Sequence, residues 1–206
     1  SASGYAVTAT YGARNVWTNG YSLRYQMGNN PAGSSPQFRD STSNSNHAVA
    51  RADMTSGDVV SGKIGNAIDL DGNDGGVFQT ALAYAGEFTA SMWWYSSSTG
   101  FAIAGPAGAN EKFGPWSSPA GKIFARVISS SDTAVNYPSH NNWNYVVLTR
   151  NSSNRVDLHI NGTTTRIFGD AAQSGTSDWE NFGGESSQGF VGRIDELRFS
   201  NIKRSN

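Results

Sequence analysis

Three aromatic residues, Trp116, Tyr137 and Trp179, lie on stretches of the sequence that have the composition of loops. Sugar rings stack their apolar faces on flat aromatic side chains, and binding residues are often carried on loops. These residues therefore predict contact with a carbohydrate. The alternative is that the three rings cover the ends of a hydrophobic core, where aromatic residues are often partly buried.

Residues that could perform catalysis do not form a recognisable pattern. Asp195 and Glu196 are adjacent on a predicted strand and point to opposite faces, whereas glycoside hydrolysis needs two carboxyl groups that flank one bond. His47 and His140 lie on predicted loops, and His159 lies on the polar face of a strand. No Gly-x-Ser-x-Gly elbow is present to carry a serine nucleophile. The sequence predicts a protein that is not an enzyme.

An oxygen-rich run extends from Asp69 to Asp74 and includes Asp71 and Asn73. Its spacing is similar to that of a calcium loop, but no glutamate follows at the position such a loop requires. We interpret the run as a solvated turn.

The clearest structural signal is a hairpin region from Trp143 to Arg166. Its segment from Val156 to Ile160 alternates apolar with polar residues, which is typical of a strand with one face on a core. Asn161 and Gly162 follow, and this pair is typical of a two-residue turn in which both positions need positive φ. Three successive antiparallel strands are predicted.

A second run, from Phe88 to Tyr95, carries aromatic residues on both faces of a predicted strand. This pattern is typical of a central strand in a two-sheet sandwich, although one face could equally line a groove. We assign Trp93, Trp94 and Trp143 to the core.

Composition limits the remaining classes. A chain of 206 residues with 24 glycines and no long helical periodicity fits one all-β domain, residues 1–206. The net charge of -1, without a basic cluster, argues against nucleic acid as a partner, and no stretch is apolar enough for membrane insertion. Without cysteines there can be no disulfides, and the abundance of Asn, Ser, Thr and Gly favours an extracellular or cell-surface location.

Five segments, taken in order, resemble the laminin-G-like jelly roll of the concanavalin A-like lectin/glucanase superfamily. They are Asp40 to His47, Gly62 to Gly72, Phe88 to Trp94, Trp143 to Gly162 and Gly192 to Phe199. The resemblance implies an antiparallel two-sheet sandwich with its sites on rim loops. Residues 1–20 are similar to the edge strand or linker that leads into such domains in large bacterial surface proteins, so we expect a larger multidomain chain.

The resemblance also implies a structural calcium ion, Ca2+, held by a loop and by an acid of the last strand. The corresponding residues are Asp40, Asn44, Asn46 and Asp195. Calcium prefers six to eight oxygen ligands, which this loop could supply through side chains and carbonyls. The alternative is that Asp40 and Asn44 cap turns of their own backbone. Ser43 stands where relatives usually have a glycine.

Members of this superfamily include glycan-binding modules, adhesion domains, structural spacers and polysaccharide-acting enzymes. We expect a non-catalytic binding or adhesion module that recognises a glycan or another cell-surface ligand through rim loops. The alternative is a spacer or assembly domain of a surface layer, fibre or viral particle, and an enzyme is the third choice. The fold alone does not decide among them.

Overall fold

The computed structural model describes residues 16–98, 100–107, 110–116, 121–128, 133–136, 140–168, 172–184 and 188–205, without the side chains of Trp116, Thr133 and Ala134. Within these residues the chain forms two antiparallel sheets that pack face to face, which confirms the predicted all-β jelly-roll sandwich. No helix in this part of the chain is long and apolar enough to cross a membrane.

Sheet A holds eight of the described strands. Its order is β13 (Thr163–Ile167), β12 (Val156–Ile160), β11 (Trp143–Arg150), β6 (Phe88–Ser96), β15 (Val191–Ser200), β4 (Asn66–Asp71) and β3 (Val59–Ser61), with β1 (Tyr21–Tyr25) also paired to β15. Sheet B has the order β10 (Thr133–Asn136), β9 (Lys122–Arg126), β8 (Lys112–Trp116), β7 (Ile103–Ala104), β14 (Ser177–Phe182), β5 (Gly76–Tyr84) and β2 (Ala48–Ala50). One short 3₁₀ turn, Ser56–Asp58, precedes β3.

The core lies between the sheets and is built from apolar residues that alternate along the strands. Trp94 of β6 and Trp179 of β14 are both fully buried. The Trp94 ring lies 5.3 Å from that of Phe113 in sheet B, and the Trp179 ring lies 6.0 Å from that of Phe88 in sheet A. Each tryptophan therefore packs its own sheet against the other one.

The predicted hairpin region is confirmed as β11, β12 and β13. Asn161 and Gly162 connect β12 to β13 with φ values of 49° and 87°, as the tight turn requires. The Asn161 carboxamide also accepts a hydrogen bond from the Tyr145 backbone N–H at 2.9 Å and donates to Asn144 Oδ1 at 2.9 Å. The turn is thus bound to β11 as well as to its own strands.

The pairing of β11 with β6 sets the faces of sheet A. Leu148 pairs with Ala90 and Val146 with Met92, and all four belong to the core. The residues between them therefore point away from sheet B.

A β-bulge interrupts β15 between Asp195 and Arg198, where Glu196 has a φ of 54°. A bulge adds one residue to a strand and redirects its side chains. The buried Glu196 carboxylate accepts hydrogen bonds from Arg24 of β1 at 2.6 Å and from Arg198 at 2.7 Å. The Arg24–Glu196 ion pair links β1 to β15.

Arg150, the last residue of β11, is fully buried and binds the backbone of segments beyond its own sheet. Its guanidinium donates to the carbonyl oxygens of Tyr84 and Gly86 and, at 3.3 Å and 3.1 Å, to those of Gln173 and Gly175. Tyr84 ends β5 of sheet B. One side chain therefore satisfies four carbonyl groups and links the sheets at this end of the sandwich.

Substitution Arg150→Met should lower the free energy of unfolding by at least about 3 kcal/mol, because each buried carbonyl left without a donor costs about 1–3 kcal/mol. Chemical denaturation measures the change. The matched control is Arg39→Met at an exposed arginine. If both variants lost the same stability, Arg150 would not be an anchor between the sheets.

Candidate functional site

The loop predicted to bind calcium is held by hydrogen bonds to Asp40. Asp40 Oδ1 accepts from the backbone N–H groups of Arg24 and Thr42, both at 2.9 Å. Asp40 Oδ2 accepts from the Thr42 hydroxyl at 2.7 Å and from the Asn46 N–H at 3.0 Å. Both carboxylate oxygens are therefore occupied by donors within the protein, as in the alternative in which Asp40 organises a turn.

The other three predicted calcium ligands serve separate segments. Asn44 donates to the Tyr21 carbonyl at 2.8 Å, and the Asn46 carboxamide binds the backbone of Thr80 through both of its polar atoms. Asp195 is fully buried and accepts from the Ile64 N–H at 2.7 Å. Among the described residues, no three acids or histidines are grouped closely enough to hold a metal ion. Hydrogen bonds account for Asp40, Asn44 and Asn46 without an ion, whereas the buried Oδ1 of Asp195 has no hydrogen-bond partner among the described residues. Calcium binding stays a prediction.

The second oxygen-rich run is a turn, as predicted. Asp71 Oδ1 accepts from the N–H groups of Asn73 at 2.8 Å and Asp74 at 3.3 Å, while Asp74 Oδ2 accepts from the Asp71 N–H at 3.3 Å. Burial, with the neighbouring Asp71, raises the pKa of the Asp74 carboxyl to about 6. The negative charges of Asp71 and Asp74 therefore repel each other in this turn.

Of the three aromatic residues predicted to contact a glycan, only Trp179 has a side chain among the described residues. Trp179 lies in β14 rather than on a loop and is fully buried, with its ring 6.1 Å from that of Phe199, so its assignment as a ligand contact is wrong. Trp116 ends β8, and its side chain lies outside the described residues. Tyr137 also lies outside them. The rim position of Trp116 and Tyr137 stays a prediction.

Four other aromatic residues lie together on the outer face of sheet A. Trp93 and Tyr95 of β6 pair directly with Tyr145 and Trp143 of β11, respectively. All four are half-buried, so the assignment of Trp93 and Trp143 to the core is wrong, whereas that of Trp94 is confirmed. The Trp93 and Tyr145 ring centroids are 5.2 Å apart, and those of Tyr95 and Trp143 are 5.9 Å apart. We call this surface the aromatic face.

Two cations border the aromatic face. The Lys63 ammonium lies 5.1 Å from the centre of the Trp93 ring, and the Arg193 guanidinium lies 5.4 Å from that of Tyr95. Both distances fall within the range of cation–π contacts. The face thus combines flat apolar rings with hydrogen-bond donors at its edge.

A groove of about 450 Å³ continues from the aromatic face. Its floor includes Thr89, Ser91, Tyr145 and Val147, which occupy outward positions of β6 and β11. Its walls include three cationic side chains, those of Arg198, Lys203 and Arg204. We call this cavity the basic groove.

The predicted rim loop lines a separate cleft of about 490 Å³. The residues that line it include Trp17, Tyr21, Asn44 and Asn46. The Trp17 and Tyr21 rings meet edge to face at 5.0 Å. The carboxamides of both asparagines in this cleft already bind backbone groups.

Comparison with protein families identifies the fold. Residues 70–206 match a laminin G family model described as the concanavalin A-like lectin/glucanases superfamily. The chain belongs to this superfamily. A comparison with curated proteins gave no match.

Solved structures support the same fold for this concanavalin A-like domain. Domain 4 of AbnA, an extracellular arabinanase from Geobacillus stearothermophilus solved with arabinotriose, is 19% identical with a TM-score of 0.60, over 88% of this chain and 92% of that one. The botulinum neurotoxin serotype D ligand-binding domain, solved with N-acetylneuraminic acid, is 16% identical with a TM-score of 0.61, over 94% and 50%. The binding domain of Paraclostridial Mosquitocidal Protein 1 is 14% identical with a TM-score of 0.60, over 90% and 50%. The chain spans about half the length of the two toxin domains.

The aromatic face of this concanavalin A-like domain agrees with the alternative that one face of the strand from Phe88 to Tyr95 lines a groove, and not with the assignment of Trp93 and Trp143 to the core. The available signal was the alternation in β6, which puts Trp93 and Tyr95 on the face opposite Trp94. The pairing of Trp143 with Tyr95 joins residues 48 positions apart. That contact depends on strand register, which the sequence pattern of one strand does not contain.

Substitution Asp40→Ala should lower the free energy of unfolding by about 3 kcal/mol or more, because three buried N–H groups lose their acceptor. We expect the same loss in excess calcium and in excess EGTA, measured by chemical denaturation. A loss that appeared only in calcium would instead assign Asp40 to an ion.

Substitution Asp74→Asn should change how stability depends on pH. The raised pKa of Asp74 means that the wild type loses stability as the pH rises from about 4, the ordinary carboxyl value, through about 6. The variant lacks this titration, so its melting temperature should rise relative to the wild type over that window. Parallel melting curves from pH 4 to pH 8 would contradict the assignment.

Proposed function

We propose that this domain is a non-catalytic carbohydrate-binding module that holds a glycan against the aromatic face of sheet A. The carrying observation is the set of four half-buried rings, paired two by two across β6 and β11. Each ring packs against its partner on the neighbouring strand, so little conformational entropy is lost when a sugar stacks on it. Lys63 and Arg193 supply hydrogen-bond donors for hydroxyl groups at the edge.

The solved relatives support this proposal at the level of ligand class. Domain 4 of AbnA was solved with arabinotriose, and the serotype D domain with N-acetylneuraminic acid. Both are domains of the same fold in complex with a sugar. We propose the sheet surface, and not the rim loops, as the glycan-binding site because Trp179 is buried and Asp40 is engaged in hydrogen bonds within its own loop.

Adhesion, an extracellular or surface location, and membership of a larger chain belong to the same proposal. A module that binds glycan without modifying it contributes by bringing its parent protein to a surface or a polysaccharide. Several such modules on one chain would raise the avidity without any new contact.

The double substitution Trp143→Ala with Tyr145→Ala should weaken binding of the tightest glycan found on an array by about tenfold or more. Each lost ring removes about 0.5–1.5 kcal/mol beyond its area, and about 1.4 kcal/mol corresponds to a factor of ten. Isothermal titration calorimetry measures the affinity, and thermal melting confirms that the variant is folded.

The matched control is the double substitution Val49→Ala with Val77→Ala, which alters two paired, exposed residues on the outer face of sheet B. This variant should bind like the wild type. Equal affinity for all three proteins would contradict the assignment of the aromatic face. Release of reducing ends from any polysaccharide would contradict the non-catalytic role, and concentration-dependent oligomers without glycan binding would favour the assembly role.

A further inference from the structure

The basic groove and the aromatic face form one continuous surface. Tyr145 belongs to both, and Val147, the next outward residue of β11, lies in the groove floor. Strand residues advance by about 3.3 Å each, so Val147 lies roughly 7 Å beyond Tyr145. This step is similar to the length of one sugar ring. A glycan on the aromatic face would therefore place its next residue in the groove.

The segment from Ile202 to Ser205 forms one wall of the groove and is fixed to the sheet. The Thr89 hydroxyl donates to the Ile202 carbonyl at 2.8 Å and accepts from the Arg204 N–H at 2.9 Å. The Arg204 guanidinium lies 3.7 Å from the centre of the Tyr21 ring, and its Nε donates to the Ser200 hydroxyl at 2.9 Å. The position of this cation is thus set by several contacts before a ligand arrives.

The groove has a positive balance of charge. Arg198, Lys203 and Arg204 line it, and no acidic side chain among the described residues does so. The nearby carboxylates are shared between cations. Glu196 binds both Arg24 and Arg198, and Asp157 binds both Arg166 and Lys203.

A third carboxylate, Glu87, lies 3.5 Å from the backbone nitrogen of Lys203 and also accepts from the Ser152 N–H. When Arg24 and Arg166, which share these carboxylates, are counted with the three cations that line the groove, five cations stand against three carboxylates, although the whole chain carries a net charge of -1. A local positive excess inside a cavity attracts an anion, and charge-assisted hydrogen bonds are about twice as strong as neutral ones.

We infer that the basic groove binds the anionic group of an acidic sugar, either a carboxylate or a sulfate ester, while the adjoining ring stacks on Tyr145. The inference rests on the proposed glycan binding and specifies its ligand class. Ser91 and the three cations offer donors to the anion, and the ring of Tyr145 selects the apolar face of the sugar.

The experiment is an array of paired oligosaccharides titrated against the whole chain. Each uronic or sialic acid oligosaccharide is matched with its methyl ester, and each sulfated one with its desulfated form. We expect at least about tenfold tighter binding of the acidic member of one pair at low salt, with a smaller difference at high salt because exposed charges are screened. The pair that responds identifies the anion as carboxylate or sulfate.

The double substitution Lys203→Gln with Arg204→Gln should lower the ratio of acidic to neutral affinity about tenfold, as measured by calorimetry on that pair. Substitution of Arg39 and Arg51 to Gln removes the same charge away from the groove and should leave the ratio unchanged. Thermal melting confirms folding, and the salt dependence of the wild type tests the inference independently of any variant.

The two proposals fail differently. Binding of the neutral members at equal or higher affinity would overturn the acidic-sugar inference while leaving glycan binding on the aromatic face in place. No binding to any member of any pair would overturn both. A ratio lowered equally by both double substitutions would show a general charge effect and would overturn the role of the groove.

Discussion

The register of β11 against β6 is the constraint on which the rest of the structure depends. Leu148 opposite Ala90 and Val146 opposite Met92 put one face of both strands into the core. The same alignment puts Tyr145 opposite Trp93 on the other face. Because side chains alternate with a period of two, a slip by one residue would bury the aromatic face and expose the core. Burial of the core therefore also positions the proposed binding surface.

Sheet positions and loops have different roles in this domain. The polar residues of the Asp40 loop are engaged with the backbone around them, and Asp40 alone accepts four hydrogen bonds. The Arg150 guanidinium likewise donates its hydrogen bonds to backbone carbonyl groups at the end of the sandwich. The aromatic and cationic side chains that face solvent are instead carried by β6, β11 and β15 and by the segment from Ile202 to Ser205. A rigid sheet holds such groups in place before binding, which lowers the entropy lost on association.

Local patterns in the sequence predict much of the fold but little of the site. The alternation in β12 and the Asn161-Gly162 turn depend only on neighbouring residues. They can therefore be predicted from the sequence. The bulge at Glu196 and the pairing of Trp143 with Tyr95 join distant segments, and no single segment encodes them. Trp179 was misassigned for a different reason. It lies in a polar stretch of sequence that is typical of a loop, yet this stretch forms the strand β14 and the Trp179 side chain is buried. Burial alternates along most of β14, but its inward positions include the polar residues Ser177 and Asn181, so the sequence shows no apolar alternation there.

The most direct test of the central claim is a heteronuclear NMR titration of the tryptophan indole N–H signals with the glycan that binds best. The chain has six tryptophans, and single Trp→Phe substitutions assign their signals. If the glycan lies on the aromatic face, the signals of Trp93 and Trp143 should shift with ligand concentration, while those of the buried Trp94 and Trp179 should stay nearly unchanged. Shifts confined to Trp17 or Trp116, with Trp93 and Trp143 unaffected at saturation, would place the ligand elsewhere and contradict the account.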